Sequence, residues 1–561
     1  MNIDLRVRFS LMVITVAFLA LSVRLVYLET FKGDFLQDQG DARTIRMERI
    51  NAHRGMILDA LNKPLAVSTP VTSIWANPSE LPTDSAQLLR IADELGIPHE
   101  RFLERVTGAR DRNFIYITRH LPPAVASRVL SLEVPGIYGE REYKRFYPSA
   151  EVGAHLVGFT NIDDTGQEGL ELAFDDWLAG KPGKKKVLKN LHGEIVRDVL
   201  PVAEAVPGRA LQLSVDLRLQ YLAYRELKSA VAEYGAQSGS IVLLDAESGR
   251  LLAMANQPSF NPNNRRALDL DAVRNRAVTD VFEPGSTVKP FTVAVALNSG
   301  DYLPESVIDT NPGFFKVAGK VIHDPSNRGE MDLGAIIAHS SQVGISRLAL
   351  TLNEHEVWDM FRAVGLGEPT GIGYPGERNG YLPTRRDWRD IERVTFAYGY
   401  GLTVTPLQLA GAYLTIASGG IRRDITVLEG PVREGQRVMP TEVAGALKDM
   451  LARVVTEGTG SLAAIDGYPV AGKTGTARKI GEDGYEDTRH LAFFSGMAPV
   501  ESPRIVGVVL INEPDARNAG GGKIAAPVFS RVVEGALRMM NEPPERASSI
   551  AQATAHTGGS T

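Results

Sequence analysis

What constrains this chain most is an apolar run at its N-terminus. The fifteen residues from Phe9 to Val23 (FSLMVITVAFLALSV) carry no charge. Arg24 interrupts, and Leu25-Val26-Tyr27-Leu28 then continues the apolar pattern. A helix needs about 20 apolar residues to cross a bilayer. Residues 9–28 reach that length when Arg24 extends its stem toward the interface. The competing reading is a cleavable export signal, because Ala20-x-Ser22 has the small residues of a cleavage site. The apolar pattern runs on past that site, which favours a retained anchor. Arg6 and Arg8 precede the run and, by the positive-inside rule, keep residues 1–8 in the cytoplasm. Under either reading the rest of the chain is expected to be exported.

Composition narrows the classes further. The 561 residues are 43% hydrophobic and 23% charged, an ordinary globular balance with room for two to four domains. A net charge of −6 gives no reason to expect nucleic-acid binding. Cysteine is absent, which excludes disulfides, thiol nucleophiles and thiolate metal sites, and suits an oxidising compartment. The ten histidines are scattered with no H-E-x-x-H pattern, so His155, His323 and His339 read as structural or exposed and no metal is expected.

After the anchor, residues 40–205 form a mixed region of short apolar runs broken by Pro and Gly, with one helical pattern at 85–96. Its basic run, Lys181 to Lys189, reads as a solvated loop or hairpin; contact with anionic lipid or glycan is the sharper alternative. A boundary falls at Val206-Pro-Gly-Arg209. Beyond it we expect a strand at 211–215, a helix at 216–234 and a hairpin from 240–245 and 251–254. Two further strands follow at 491–497 and 505–511, and a helix at 527–540. This order suggests an α+β domain, an antiparallel sheet flanked by helices, spanning 206–540. Residues 541–561 are rich in Ala, Ser, Thr, Gly and Pro and are expected to be disordered.

Three segments carry chemistry. The first is Glu283-Pro-Gly-Ser286-Thr-Val-Lys289. The apolar run 291–297 continues it as a helix, so Ser286 is expected at a helix N-cap with Lys289 on the same face. A serine hydroxyl needs a base to act as a nucleophile. A lysine serves when burial and positive neighbours depress its pKa. The helix dipole and backbone N–H groups would favour a nearby oxyanion. The third is Lys473-Thr474-Gly475-Thr476, about 190 residues downstream, expected on a strand lining a cleft. Lys473 offers charge for a carboxylate, Thr474 and Thr476 offer hydroxyls, and Gly475 allows a substrate backbone to approach. Between them lies Ser340-Ser341-Gln342. S-x-x-K, S-x-N and K-T-G in this order form the signature of penicillin-recognising serine acyltransferases. Gly467 to Thr474 also fits the phosphate-binding pattern G-x-x-x-x-G-K-[ST]. Gly475 and Thr476 are a poor helix start, Pro469 interrupts the loop, and an exported domain has no nucleotide supply, so that reading is set aside.

On these motifs the chain resembles the class B penicillin-binding proteins of the division type, the septal peptidoglycan D,D-transpeptidases. Further matching stretches are Arg54-Gly55 with Asp59, Arg145-x-Tyr147-Pro148, Ala154-His155-x-x-Gly158, Gly166-x-x-Gly169-x-Glu171, Tyr374-Pro-Gly-Glu377 and Tyr398-Gly-Tyr-Gly401. The resemblance implies a penicillin-binding-protein/serine β-lactamase-like transpeptidase domain on a mixed α/β pedestal, behind one transmembrane helix of the bacterial inner membrane. It implies Ser286 as nucleophile, Lys289 as its base and Ser340 as proton relay. Gln342, Lys473, Thr474, Gly475 and Thr476 would bind substrate, and the backbone N–H groups of Ser286 and Thr476 would form the oxyanion hole. No cofactor is implied. The implied partners are lipid II-derived glycan strands with pentapeptide stems, β-lactam antibiotics, a SEDS-family glycosyltransferase and divisome proteins.

The sequence departs from the family at two places. Gln342 stands where the family has Asn, adding one methylene, about 1.5 Å of reach. Ala60-Leu-Asn62 stands where the family usually has Arg-Asn-Gly, so a turn loses its glycine. Both hint at a specialised paralogue. Other fates of the acyl-enzyme also stay open, namely a D,D-carboxypeptidase or a slow β-lactamase, as does a catalytically weak scaffold.

Overall fold

The computed structural model describes residues 3–32, 45–82, 84–189, 195–266, 268–384, 387–481, 484–515 and 520–544. From residue 545 on, the tail expected to be disordered lies outside them. The chain forms two compact units. One comprises Met1–Arg54, Pro70–Lys144 and Ala179–Gly208; the other comprises Gly55–Thr69, Arg145–Leu178 and Arg209–Thr561.

The first unit contains helix α1 (Ile3–Phe31). Its stretch Leu5–Phe31 is long and apolar enough to cross a membrane, and its side chains meet no protein core. The helix is longer than the expected 9–28, because Asp4, Arg6 and Arg8 are compatible with a helical first turn and simply continue it. In the same unit, β1 (Ile45–Ile50) pairs antiparallel with β2 (Gly183–Lys189), which pairs with β3 (Ile195–Ala203). The basic run is therefore a hairpin strand. A separate core packs helix α2 (Ser85–Leu95) and residues 99–107 and 123–130 around Ile74, Ile91, Phe102, Ile117 and Val129. Asp84 caps α2 by accepting from Ala86 N, and Gly96 ends it at φ 63.

The second unit is built on a five-stranded antiparallel sheet. Its main elements include, in chain order, α3 (Leu217–Glu233), β4 (Ser238–Asp245), β5 (Leu251–Gln257), α4 (Lys289–Ser299), α5 (Leu333–Ala338), α6 (Gln342–Thr351), α7 (Pro406–Ala417), α8 (Thr441–Thr456), β6 (Ala471–Gly481), β7 (Gly484–Ala498), β8 (Ile505–Asn512) and α9 (Gly521–Met539). The strand order is β5-β4-β8-β7-β6. Side chains alternate across a strand, and here both faces are covered. Ile241 and Leu243 enter a core with α3 and α9, whereas Val242 and Leu244 enter a core with α4, α7 and α8. That explains why β4 and β8 read as continuous apolar runs. Truncating Leu243 to Ala would cost about 2–5 kcal/mol.

Three expected elements differ, the strand expected at 491–497 running from Gly484 to Ala498. The strand at 211–215 is only Leu211–Gln212, because Leu213 bridges to Leu428, Ser214 N donates to Val427 O, and Asp216 already caps α3. The last helix starts at Gly521, six residues before Pro527. Its first turn is anchored by Gly521 N donating to Thr476 Oγ1 at 3.1 Å.

The motifs at 54–171 have structural reasons of their own. Arg145 Nε donates to Glu171 Oε1 at 2.6 Å and Arg145 Nη1 to Ser68 Oγ at 3.1 Å, all buried. Gly158 and Gly169 meet backbone to backbone, so a Cβ on Gly158 would lie 1.8 Å from Glu168 O. His155 is buried and bonds Ala272 O, and burial lowers its pKa to about 4, so it is a neutral core residue. At the altered turn, Asp59 Oδ1 accepts from Leu61 N and Lys63 N, and Asn62 sits at φ 61. Asn tolerates that left-handed conformation, so the turn survives without its glycine.

Candidate active site

The turn before α4 is not the simple N-cap expected. Gly285–Val288 forms a 3₁₀ turn leading into α4, and Ser286 makes no capping bond. Its geometry is set from behind. Gly285 sits at φ 48 and donates to Gly399 O at 3.1 Å; a Cβ on Gly399 would lie 2.2 Å from Gly285 O. Tyr413 OH donates to Thr287 O, and Thr292 Oγ1 to Ala397 O, each at 2.8 Å. Glu283 is held by Gly401 N and by Tyr485 OH, both at 2.9 Å. Within 282–290 only Ser286 is more than marginally exposed. The packing thus presents one hydroxyl to solvent.

Ser340 reaches that hydroxyl. Its Oγ donates to Ser286 Oγ at 2.9 Å. Lys289 Nζ donates to Ser340 O at 2.6 Å and to Ser340 Oγ at 3.3 Å. Among the described residues, therefore, Ser340 bridges the serine and the lysine. Ser340 adopts φ 60, a left-handed conformation that strains a residue with a Cβ. It sits between the end of α5 and the start of α6, where Ser341 N donates to Ile336 O.

Lys289 and Lys473 are both fully buried. Burial and the charge of Lys473 hold Lys289 well below its ordinary value, while Asp324 pulls the other way. Burial alone brings Lys473 down to about 7. A neutral amine next to a hydroxyl chain is a competent proton acceptor.

Lys473, Thr474, Gly475 and Thr476 lie on β6, at the sheet edge, and not at a helix start, which removes the phosphate-loop geometry. Lys473 Nζ donates to Thr474 O at 3.3 Å and Thr474 Oγ1 at 3.4 Å. It has no carboxylate partner among the described residues. Thr474 Oγ1 bonds Thr459 Oγ1 at 2.8 Å. Thr476 is exposed, and its hydroxyl accepts from Gly521 N. Gly475 also has a packing reason to be glycine: a Cβ there would lie 2.0 Å from the ring of Phe493 on β7.

Gln342 begins α6 and is half-buried; among the described residues its carboxamide makes no hydrogen bond, to Lys289 or otherwise. Two residues beside the motifs were missed by sequence reasoning. Thr459 touches Thr474, and Asp324 accepts from Ser341 Oγ, Gln342 N and Val343 N. Neither belongs to a fixed-spacing pattern; only the turn residues His323-Asp324-Pro325 hinted at a bend.

Comparison with known proteins finds matching domain models and relatives over most of the chain. The penicillin binding protein transpeptidase domain model matches residues 239–534, and the penicillin-binding protein dimerisation domain model matches 49–213. The peptidoglycan D,D-transpeptidase FtsI of Escherichia coli is 43% identical over 93% of this chain and 90% of its own. The probable peptidoglycan D,D-transpeptidase PbpC of Pseudomonas aeruginosa is 41% identical over 96% of each. A crystal structure of penicillin binding protein 3 from Mycobacterium tuberculosis complexed with aztreonam superposes with a TM-score of 0.70 at 27% identity, covering 89% of this chain and 98% of that one.

Proposed function

We propose, for a chain that belongs to the penicillin-binding protein transpeptidase family, that it is a peptidoglycan D,D-transpeptidase of septal wall synthesis acting through a Ser286 acyl-enzyme. Lys289, pushed toward the neutral form by burial and by the charge of Lys473, takes the proton of Ser286 directly or through Ser340. Ser286 Oγ attacks the carbonyl between the two terminal D-alanines of a stem pentapeptide. The tetrahedral oxyanion rests on the backbone N–H groups of Ser286 and Thr476. The C–N bond breaks, Ser340 returns the proton to the departing amine, and D-alanine leaves. An amine of a neighbouring stem then takes the acyl group, releasing Ser286. Lys473, Thr474, Gly475 and Thr476 hold the substrate carboxylate and backbone, and Gln342 faces its amide. β-Lactams enter by the same attack and remain as the acyl group.

The observation that carries this reading is the Ser286–Ser340–Lys289 chain beneath one partly exposed hydroxyl, with 2.9 Å between the two hydroxyls and 3.3 Å from Ser340 Oγ to Lys289 Nζ. The reading assigns residues 9–28 to an inner-membrane anchor, 1–8 to the cytoplasm, 40–205 to a periplasmic pedestal and 206–540 to the transpeptidase domain. Arg6 and Arg8 support that orientation. The pedestal would dock a SEDS-family glycosyltransferase and divisome proteins.

The test supplies full-length protein in detergent with nascent glycan strands bearing pentapeptides. Cross-linked muropeptides with equimolar D-alanine are expected, and neither from Ser286→Ala. D-alanine without cross-links would mean a carboxypeptidase instead.

A further inference from the structure

Ser340 holds an unfavourable backbone conformation and immediately precedes Ser341, the N-cap of α6, so something must fix the start of that helix. The first N–H groups of a helix have no partner within it. In α6 those of its first three residues are all occupied. Gln342 N and Val343 N donate to Asp324 Oδ1 at 2.5 Å and 3.1 Å. Gly344 N donates to Ser341 Oγ at 2.8 Å, and that hydroxyl donates onward to Asp324 Oδ2 at 2.5 Å. Asp324 itself is pinned, since its N–H donates to Gly313 O at 3.0 Å. The same loop grips α6 further along, where Arg347 donates to Asp309 O and Asn311 O at 2.5 Å and 2.9 Å. With α5 fixed on one side and this clamp on the other, Ser340 has no freedom to relax.

We propose that Asp324 is a positioning residue of the active site, clamping the start of α6 so that Ser340 keeps its hydroxyl on Ser286 and its carbonyl on Lys289. The proposal rests on the reading of Ser286 as nucleophile. Asp324 also acts through its charge. The charged groups that act on Lys289 are Lys473, from β6, and Asp324, from the loop after residues 320–323. They oppose each other: Lys473 and burial favour the neutral amine, and Asp324 favours the ammonium. Asp324 is thus placed both to shape the proton path and to offset the effect of Lys473 on the proton affinity of Lys289.

Two variants separate these effects. Asp324→Asn keeps Oδ1 as acceptor for Gln342 N and Val343 N, and Ser341 can turn its hydroxyl to accept from the new amide, so the clamp stays while the charge goes. Asp324→Ala removes the clamp. The assay is the second-order rate of labelling by a fluorescent penicillin against pH, on full-length protein in detergent, with a thermal melt of each variant and Ser286→Ala as control. In Asp324→Asn the acid limb of the rate profile is expected at lower pH than in the parent, with an unchanged melt. A purely structural aspartate would not move that limb. In Asp324→Ala the rate is expected to fall about 100-fold at every pH, the cost of misplacing a reacting group by about 1 Å. An Asp324→Ala rate equal to the parent's on folded protein overturns the clamp, and an Asp324→Asn profile that overlays the parent's, or shifts to higher pH, overturns the role of the charge; both leave Ser286 in place. Label on Ser286→Ala would overturn the underlying reading, and the proposal with it.

Discussion

Replacing Lys473 by Met should make the protein more stable and inactive. Lys473 is fully buried, and among the described residues its ammonium finds only the carbonyl and hydroxyl of Thr474, at 3.3–3.4 Å. An amine brought from its ordinary 10.5 to about 7 carries a penalty of about 5 kcal/mol on its charged form. The sign follows from linkage. The unfolded lysine binds its proton up to pH 10.5 and the folded one only up to about 7, so the unfolded state holds more protons between these values. The stability deficit is therefore complete below pH 7 and shrinks as pH rises toward 10.5. Methionine fills the same volume without a charge, as in other cases where buried ionic groups give way to apolar ones. Allowing for relaxation and water entry, we expect Lys473→Met to gain about 2–4 kcal/mol at pH 6.5. That corresponds to a melting rise of about 5 °C or more. By pH 9 the gain should fall by more than half. The assay is thermal unfolding of full-length protein in detergent at both pH values, beside penicillin labelling. A variant that melts at or below the parent at pH 6.5, or a gain independent of pH, would refute the argument that this lysine is held at the expense of stability.

Other expectations follow from single contacts. Ser340→Gly and Ser340→Ala should both lose at least about 100-fold in acylation rate, the scale of a lost proton relay. Of the two, the Gly variant should be the more stable by about 1 kcal/mol in denaturant titrations, because position 340 sits at φ 60. Glu171→Gln should cost about 3 kcal/mol by leaving Arg145 charged and buried, while the labelling rate of Ser286 stays the same. Asn62→Gly should be neutral to within about 0.5 kcal/mol, and Asn62→Val should cost about 1–2 kcal/mol, since only the latter resists φ 61.

Much of this architecture was legible because its signals are local. Ser240 to Asp245 and Ile505 to Ile511 announce themselves as buried strands by apolar runs between turn residues. The helix at 85–96 carries its periodicity, an Asp cap and a terminal Gly. The order of Ser286, Lys289, Ser340 and Lys473 names the chemistry before any coordinate does. What stayed hidden depends on residues far apart in sequence. Nothing near Gly475 reveals that Phe493 crosses over it, and nothing near Ser340 reveals Asp324. The turn at Ser286 reads as a helix cap, since nothing near it reveals the 3₁₀ turn or the close approach of Gly399 to Gly285. Burial of Lys473 also runs against expectation, because lysine is rarely buried without a partner. That misfit marks the site: local rules break where function needs them broken.

The measurement that tests the central claim most directly is covalent labelling of the full-length protein by a fluorescent penicillin, followed by mass mapping of the labelled peptide. The account predicts one adduct, on the peptide containing Ser286, absent from Ser286→Ala and persisting for minutes or longer. An adduct on another residue, or no adduct on well-folded protein, would contradict it.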